Sequence, residues 1–506
     1  MLWLPGMSRR SSAGYEELCK LSREVFLLDN TVSLAGWDQE TNLPPAGVPF
    51  RAKQLAYLSG KRHALFTESR VGEWIAECEA AKLAPSSQAA LNVREWRYHY
   101  DRATKLPQKL VEEFEETKAL AQAAWVKARA DSDFTAFQPH LEKVVGLRLE
   151  MAKAWGYENH PYDALLEEYE RGSNTAKVER LFDALQPELV KLVSEATDDK
   201  PRVDPDLLLG KYPISRQKSF NSLVARGIGF DFDAGRIDTA VHPFCSTLGP
   251  RDVRLTTRYS KKDFTSSLYS VLHEAGHGMY EQGLPSGEDH ASLPLSRAVS
   301  LGIHESQSRL WENHVGRSRS FWKRWLPEAR NLFPHLVDLK PGKIALAVNQ
   351  AKRSFIRVEA DEVTYDLHII LRFRVEKALV EGSLAVKDIP AFWNTLFEDL
   401  FGLQVKKDSE GCLQDVHWSF GLIGYFPTYS LGNINAAQLF HHACSDSAVA
   451  DDLEKGSYDA LLDWLRKRVH QHGSRYLPED LMKKGLLKPT FAVLIIISAF
   501  GKAVDL

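Results

Sequence analysis

The sequence predicts a mainly α-helical protein with one small β-sheet, and three observations carry this prediction. Long stretches place apolar residues at helical spacing among good helix formers such as Leu, Ala, Glu and Lys. Strand-like alternation is confined to residues 235–244 and 251–260, with a Gly-Pro turn at 249–250 between them. The composition, 44% hydrophobic and 26% charged, is that of an ordinary globular protein large enough to bury a core.

The predicted helices are the stretches in which apolar residues recur every three or four positions. The clearest are residues 15–30, 110–130, 175–196 and 347–382. Between two helical regions, residues 197–206 (TDDKPRVDPD) concentrate Pro and Asp, which interrupt helices. We expect a subdomain break there.

Charge and cysteine content exclude several classes of protein. A net charge of -3 gives no electrostatic reason to expect nucleic acid or an anionic membrane as a partner. The five cysteines are scattered without a CxxC pair, so neither a thiolate zinc site nor a disulfide framework is indicated. No signal peptide is evident, and the apolar segment 491–500 is far shorter than the roughly 20 residues of a spanning helix. We expect a cytoplasmic protein.

The segment HEAGH, residues 273–277, predicts a metal site. His273 and His277 lie one turn apart on the same helix face, where two imidazoles can bind one Zn²⁺. Glu274 is rotated by about 100° and can act as general base on a water that the metal activates. Gly276 and Gly278 are poor helix formers, which makes sense where another backbone or a substrate comes close.

A catalytic zinc needs a third protein ligand and an open fourth position. Glu281 lies about 12 Å along the helix axis from His273, too far to share one ion. The next donors are in a helical stretch that contains His304 and Glu305. We prefer Glu305, keep His304 as the alternative, and note that Glu305 could instead pair with Arg309 at i+4.

Several separated motifs, taken in order, resemble the thermostable carboxypeptidase (carboxypeptidase Taq-type) family of zinc metallocarboxypeptidases. The resemblance covers about residues 37–433 and rests on the following stretches: WDQETNLPPAG (37–47), YDALLEEYERG (162–172), HPF (242–244), DVRLT (252–256), HEAGH (273–277), HESQSR (304–309), IRVEAD (356–361) and DVHWSFGLIGYFPTYSLGN (415–433). HEAGH alone occurs in many zinc hydrolases, whereas the ordered set is specific.

The resemblance implies a single catalytic domain over residues 1–506, with two helical halves around a deep cleft. Its fold would be similar to that of neurolysin and angiotensin-converting enzyme. The resemblance also implies a homodimer, Zn²⁺ that Co²⁺ can often replace, and removal of single C-terminal amino acids from peptides with broad specificity. By match, His273, His277 and Glu305 become the metal ligands and Glu274 the general base.

Two arginines are candidates for substrate binding. An exopeptidase must recognise a free carboxylate, and Arg binds carboxylates bidentately and keeps its charge. Arg357 is the first candidate, with a helical pair to Asp361 at i+4 as its structural alternative. Arg254 lies on the predicted strand beside the cleft, where it could contact substrate or limit chain length, or only carry charge on the strand face.

Three further residues could act on the scissile carbonyl or the substrate. His242 could donate to the carbonyl or its developing oxyanion, although a lone histidine is commonly structural. Tyr425 and Tyr429 flank a Phe-Pro-Thr segment, and a phenol there could stabilise the oxyanion; we prefer Tyr425. Aromatic packing is the alternative for both tyrosines.

Two other functions remain open from the sequence. One is a zinc oligopeptidase or dipeptidyl carboxypeptidase on the same scaffold. The other is a catalytically inactive helical binding protein, against which the intact Glu274 argues. The terminal residues 486–506 are apolar and β-branched, unlike the charged helical tail that is usual in the family.

Overall fold

The computed structural model describes residues 13–197, 203–204, 206–287 and 290–485. It confirms a mainly helical protein with one small sheet. The predicted break at 197–206 lies largely outside the described residues, and the unusual segment 486–506 lies wholly outside them. Within the part of the chain that is described, no helix combines the length and apolar character needed to cross a bilayer.

Nine helices of the described chain precede the sheet. They are α1 (Ala13–Thr41), α2 (Val48–Phe66), α3 (Ser69–Ala80), α4 (Gln88–Thr104), α5 (Gln108–Asp131), α6 (Phe134–Trp155), α7 (Pro161–Leu166), α8 (Thr175–Thr197) and α9 (Ile214–Gly227). The predicted helices at 15–30, 110–130 and 175–196 fall inside α1, α5 and α8.

The sheet has three strands in the order β1-β3-β2. These are β1 (Gly235–Thr239), β2 (Cys245–Gly249) and β3 (Asp252–Thr257). β1 pairs with β3 in parallel, and β2 pairs with β3 in antiparallel register. β1 and β3 are the two predicted strands; β2 was not predicted because Cys-Ser-Thr-Leu-Gly shows no alternation of apolar and polar residues.

Ten helices follow the sheet in the described chain. They are α10 (Thr265–Gly283), α11 (Leu301–Arg309), α12 (Arg319–Leu332), α13 (Pro341–Val348), α14 (Tyr365–Glu381), α15 (Ile389–Phe401), α16 (Pro427–Ala443), α17 (Ser447–Lys455), α18 (Asp459–Arg468) and α19 (Pro478–Gly485). Asp263 stabilises the start of α10, since its Oδ1 accepts hydrogen bonds from the Thr265 N–H and hydroxyl at 2.8 and 2.6 Å.

The predicted long helix at 347–382 is wrong in its first half. α13 ends at Val348 and α14 begins only at Tyr365. The Asp361 carboxylate accepts hydrogen bonds from the backbone N–H groups of Lys352, Val363 and Thr364 at 2.8–3.1 Å. These bonds give the backbone an alternative to helical pairing and set the start of α14.

Three hydrophobic cores organise the described chain. One is built by α5–α8 with α14 and α15, a second by α9–α13 with α17–α19, and a third by α1–α4. α16 belongs to the first two, because Ile434 and Ala437 pack in the first core while Ala436 and Leu439 pack in the second. α10 and α11, which carry the predicted metal ligands, lie in the second core.

Candidate metal centre

Three predicted ligands converge where α10 packs on α11. His273, His277 and Glu305 offer ligand atoms that all lie within 4.8 Å of one another, and they form the one such group found among the described residues. Glu305 Oε2 is 3.7 Å from His273 Nε2 and 3.5 Å from His277 Nε2. His304, the alternative ligand, is not in this group.

The two helices run antiparallel. Glu281 contacts His304, Gly276 packs on Ser308, and His273 contacts Glu312, so successive contacts advance in opposite directions along the chain. A Cβ atom on Gly276 would lie 2.5 Å from the Gln307 carbonyl oxygen and 2.6 Å from the Ser308 Cα. Gly276 is therefore required for the close approach of the two backbones.

Each histidine is held by its Nδ1, which leaves Nε2 directed at Glu305. His273 Nδ1 lies 2.9 Å from Glu312 Oε2. His277 Nδ1 lies 3.1 Å from the His304 carbonyl oxygen and 2.6 Å from His304 Nδ1, while His304 Nε2 lies 2.8 Å from Glu281 Oε1. Such outer contacts fix the tautomer and orientation of metal-binding imidazoles.

Glu305 makes both of the contacts weighed from the sequence. Its Oε2 faces the histidines, and its Oε1 accepts a 2.7 Å bond from Arg309 Nε. Burial would raise the pKa of Glu305, but Arg309 and His273 outweigh burial and hold it well below its ordinary value. The side chain is therefore an anion, oriented from behind by Arg309.

Negative charge surrounds His273. Burial would lower its pKa, but Glu305 and Glu312 raise it to about 9. Burial would raise the pKa of Glu312, but Arg309 and His273 lower it to about 2. The anions that favour a proton on His273 also favour a divalent cation in place of that proton. Two imidazoles with one carboxylate are a donor set that suits catalytic zinc.

Glu274 lies beside this group and is only 6% exposed. Burial raises its pKa to about 7; His273 opposes the rise, and Glu305 and Glu312 add to it. A carboxyl group with a pKa near the working pH is suited to accept and return a proton.

Arg357 is buried and paired, though not with Asp361. Its Nε and Nη2 lie 3.0 and 2.8 Å from Asp415 Oδ1, and its Nη1 donates to the Tyr365 hydroxyl at 2.9 Å. Arg372 Nε donates to the other Asp415 oxygen at 2.7 Å. Two buried guanidinium groups thus share one carboxylate.

Tyr425 and Tyr429 form an aromatic pair beside Arg357. Their ring centroids are 5.4 Å apart, and the Arg357 guanidinium lies 5.0 Å from the Tyr429 centroid. The Tyr429 hydroxyl lies 3.2 Å from His417 Nε2. Burial raises the pKa of Tyr425, and the nearby charge of Glu305 raises it further.

Arg254 and His242 lie at the sheet. Arg254 on β3 binds the Asp252 carboxylate through Nε and Nη2 at 2.8 and 2.9 Å, and its guanidinium lies 4.4 Å from the Trp37 ring centroid. His242 is exposed in the bend before β2. The Phe244 N–H donates to the Thr256 hydroxyl at 2.9 Å, which ties the HPF segment to β3.

Sequence reasoning missed Glu312, Asp415 and His417. Glu312 follows Glu305 by two helical turns, so the spacing could have indicated it once the ligand helix was chosen. Asp415 and His417 stood inside a quoted motif, but nothing local shows that Asp415 meets two arginines from α14 and the segment before it.

Comparisons with known proteins agree with this fold. Residues 17–489 match the family model described as carboxypeptidase Taq (M32) metallopeptidase. The chain is 41% identical over 484 residues to thermostable carboxypeptidase 1 of Thermus thermophilus, covering 93% of this chain and 94% of that protein. It is 36% identical over 470 residues to carboxypeptidase 1 of Bacillus subtilis, covering 92% and 93%.

A solved structure shares the whole architecture. The M32 carboxypeptidase from Deinococcus radiodurans superposes with a TM-score of 0.92 at 36% identity, over 98% of this chain and 99% of that one. The chain belongs to the carboxypeptidase Taq (M32) family of metallopeptidases. It is a metallocarboxypeptidase, a hydrolase of peptide bonds, and the resemblance drawn from the sequence is confirmed.

Proposed function

We propose that this metallocarboxypeptidase uses Zn²⁺ to release single C-terminal amino acids from peptides, with Glu274 as general base. One observation carries the proposal: His273, His277 and Glu305 bring three donors within 4.8 Å of one another, and Glu274 lies next to them. Bound there, Zn²⁺ supplies Lewis acidity that polarises a carbonyl group and makes water more acidic.

The remaining steps belong to side chains of the chain itself. Glu274 takes a proton from the attacking water and returns it to the leaving amine. Glu312 and the His304 carbonyl hold the imidazole rings of His273 and His277 in a fixed orientation during this transfer. Tyr425, which lies near the charge of Glu305, would donate a hydrogen bond from its hydroxyl to the developing oxyanion.

Arg357 is proposed to recognise the terminal carboxylate. Arg357 and Arg372 carry two positive charges in a buried cluster with the single negative charge of Asp415, which leaves one positive charge without a partner within the trio. A buried uncompensated charge is costly, so a substrate carboxylate would be bound strongly there. The ring of Tyr429 covers this guanidinium and would contact the terminal residue.

Arg254 and His242 are proposed for the sheet side of the site. Arg254 is held rigidly by Asp252 and Trp37, which suits a residue that contacts the peptide or limits the chain length admitted. His242 is exposed beside β2, where it would donate to the substrate carbonyl.

The family resemblance supports the remaining parts of the proposal. These are broad specificity, replacement of Zn²⁺ by Co²⁺, a homodimer, and one catalytic domain over residues 1–506. A cytoplasmic location is proposed separately, because five scattered cysteines without a CxxC pair fit a reducing compartment.

A time course of peptide digestion tests this function. Peptides with varied C-terminal residues are incubated with the Zn²⁺-loaded protein, with and without chelator, and products are identified by mass spectrometry. We expect products shortened by one residue at a time and no products with chelator. Release of dipeptides, or cuts inside the peptide, would favour the oligopeptidase alternative instead.

A further inference from the structure

The loop between α7 and α8, residues 167–174, places one buried carboxylate against the helix that carries Glu305. Glu170 belongs to the motif YDALLEEYERG and is 5% exposed. Its loop follows α7 in the first core, whereas α11 lies in the second. Glu170 Oε2 accepts the Gly302 N–H at 2.9 Å, and Oε1 accepts the Ser300 hydroxyl at 3.1 Å.

These contacts hold the first turn of α11. The Leu301 N–H donates to the Tyr169 carbonyl at 3.2 Å, and the Ile303 N–H donates to the Ser300 Oγ at 3.2 Å. The first N–H groups of a helix have no partner within it, and a carboxylate there is favoured by the helix dipole. The loop therefore accepts the first two N–H groups of α11, and Glu170 also holds the Ser300 hydroxyl, whose oxygen accepts the third.

Gly302 makes room for the carboxylate. A Cβ atom at this position would lie 2.7 Å from Glu170 Oε2. Because Oε2 is the far end of a flexible side chain, an added methyl would displace the carboxylate more readily than the helix. A substitution at either Glu170 or Gly302 can thus disturb the contact between them.

The contact between Glu170 and Gly302 lies one helical turn from Glu305, the proposed metal ligand. Glu305 follows Gly302 by one helical turn, and α11 has only nine residues before it passes into the π-helical turn Leu310–Val315. Gly432 of α16 packs against Glu305 itself, since a Cβ atom on Gly432 would lie 2.6 Å from the Glu305 Cβ. A small displacement of the first turn therefore moves the Glu305 carboxylate relative to both histidines.

We propose that Glu170 is a positioning residue that sets the place of Glu305 by anchoring the first turn of α11 across the two cores. The proposal rests on the function proposed above, in which Glu305 is a metal ligand. Two hydrogen bonds link the YDALLEEYERG motif to the helix that carries Glu305.

The variants should remain folded. Glu170 lines a cavity of about 260 Å³ between α8, α16 and α19, which is large enough for water. Water can therefore reach the donors that Glu170→Ala leaves behind, and it replaces part of the lost hydrogen bonding. Glu170→Gln keeps the shape of the side chain and one acceptor oxygen.

The test measures metal affinity, which does not depend on peptidase activity. The dissociation constants of Zn²⁺ and Co²⁺ are measured by competition with a chelator for the wild type, Glu170→Gln, Glu170→Ala and Gly302→Ala. Glu167→Gln is the matched control, since Glu167 lies in the same loop and accepts a backbone N–H from Gly172 at 2.8 Å, without touching α11. Melting of each metal-free protein reports folding.

We expect metal affinity to fall about tenfold in Glu170→Ala and less in Glu170→Gln, the range typical of residues that orient metal ligands. Gly302→Ala should weaken binding similarly, and should add little in the Glu170→Ala background because both changes remove the same contact. We also expect kcat to fall with KM nearly unchanged, because Arg357 is not affected. Glu167→Gln should match the wild type in metal affinity, kcat and KM.

Two results would overturn the inference. Metal affinity equal to wild type in Glu170→Ala and Gly302→Ala, with or without a lower melting temperature, would show that the contact only stabilises the fold. Equal losses of metal affinity in Glu167→Gln would show a general effect of the loop. Failure of the unaltered chain to bind metal would instead reject the proposed function, together with this inference.

Discussion

At the scale of single residues, the site is built from side chains that serve two partners. Glu305 turns one oxygen to the histidines and the other to Arg309. Asp415 gives one oxygen to Arg357 and the other to Arg372. Such sharing holds each functional group in one orientation, because a rotation that improved one contact would break the other.

Glu274→Gln tests the general base. The amide keeps the size of the side chain but cannot accept a proton, so we expect kcat to fall by about 10²–10⁴-fold. Metal content, measured by atomic absorption, should stay at the wild-type level because Glu274 is not in the donor group. Substantial turnover by this variant would remove the assigned base.

Arg357→Gln tests carboxylate recognition. A hydrogen bond to a charged group contributes about 1.5–3 kcal/mol, so KM for peptides with a free C-terminus should rise about ten- to hundredfold. Arg374→Gln is the control, since Arg374 pairs with the exposed Asp183 on the outer side of α14. Steady-state kinetics in which both variants behave alike would argue against the role of Arg357.

At the scale of elements, the pairing of α10 with α11 creates the metal centre. Local periodicity was enough to predict α10, its two histidines and the helix that follows, because those features depend on residues close in sequence. The contacts of Asp415 depend on residues far along the chain and could not be predicted. The segment before α14 was predicted as helix because its composition favours one, but the Asp361 carboxylate competes for the backbone N–H groups.

Gly276→Ala tests this pairing. The added methyl would press on the backbone of Gln307 and Ser308, which cannot move as a flexible side chain can. We expect a loss of about 1–3 kcal/mol in the free energy of unfolding, together with weaker metal binding. Urea denaturation and chelator competition measure the two effects.

Gly146→Ala provides the control for Gly276→Ala. Gly146 lies within α6, and a Cβ there meets nothing within 4 Å. Alanine is the better helix former by about 1 kcal/mol, so this variant should equal or exceed the wild type in stability. Equal behaviour of the two variants would contradict the close-packing account.

At the scale of the whole molecule, buried polar groups join elements that are distant in sequence. Glu376 on α14 accepts hydrogen bonds from the Tyr162 hydroxyl, the Trp418 Nε1 and the Gly424 N–H at 2.7–3.0 Å. It is fully buried in the first core, beside the segment that leads to Tyr425. Tyr162, Trp418 and Gly424 stood inside two quoted motifs, but the sequence did not show that they meet at Glu376, because only the fold brings them together.

Glu376 predicts a pH dependence of stability. Burial raises its pKa from 4.5 to about 7, against the opposing effect of its three donors. The folded chain thus binds the Glu376 proton more tightly than the unfolded chain does. The contribution of this proton to the free energy of unfolding is therefore complete below about pH 4.5 and is lost as the pH rises to about 7. The loss is at most about 1.4 kcal/mol per pH unit.

Glu376→Gln cannot ionise and isolates this contribution. In urea denaturation with chelator present, the stability difference between the wild type and Glu376→Gln should shift in favour of the variant from pH 5 to pH 8. A difference that is constant across this range would contradict the raised pKa of Glu376.

We propose that the chain cleaves the peptide bond next to a free C-terminus bound by Arg357, at a metal held by His273, His277 and Glu305. The most direct measurement compares initial rates on one peptide as the free acid and as the C-terminal amide, using the Zn²⁺-loaded protein before and after chelation. We expect rapid loss of one residue from the free acid, little or no cleavage of the amide, and no activity after chelation. Cleavage of the amide as fast as the free acid would show that a free C-terminus is not required and would reject the proposed role of Arg357.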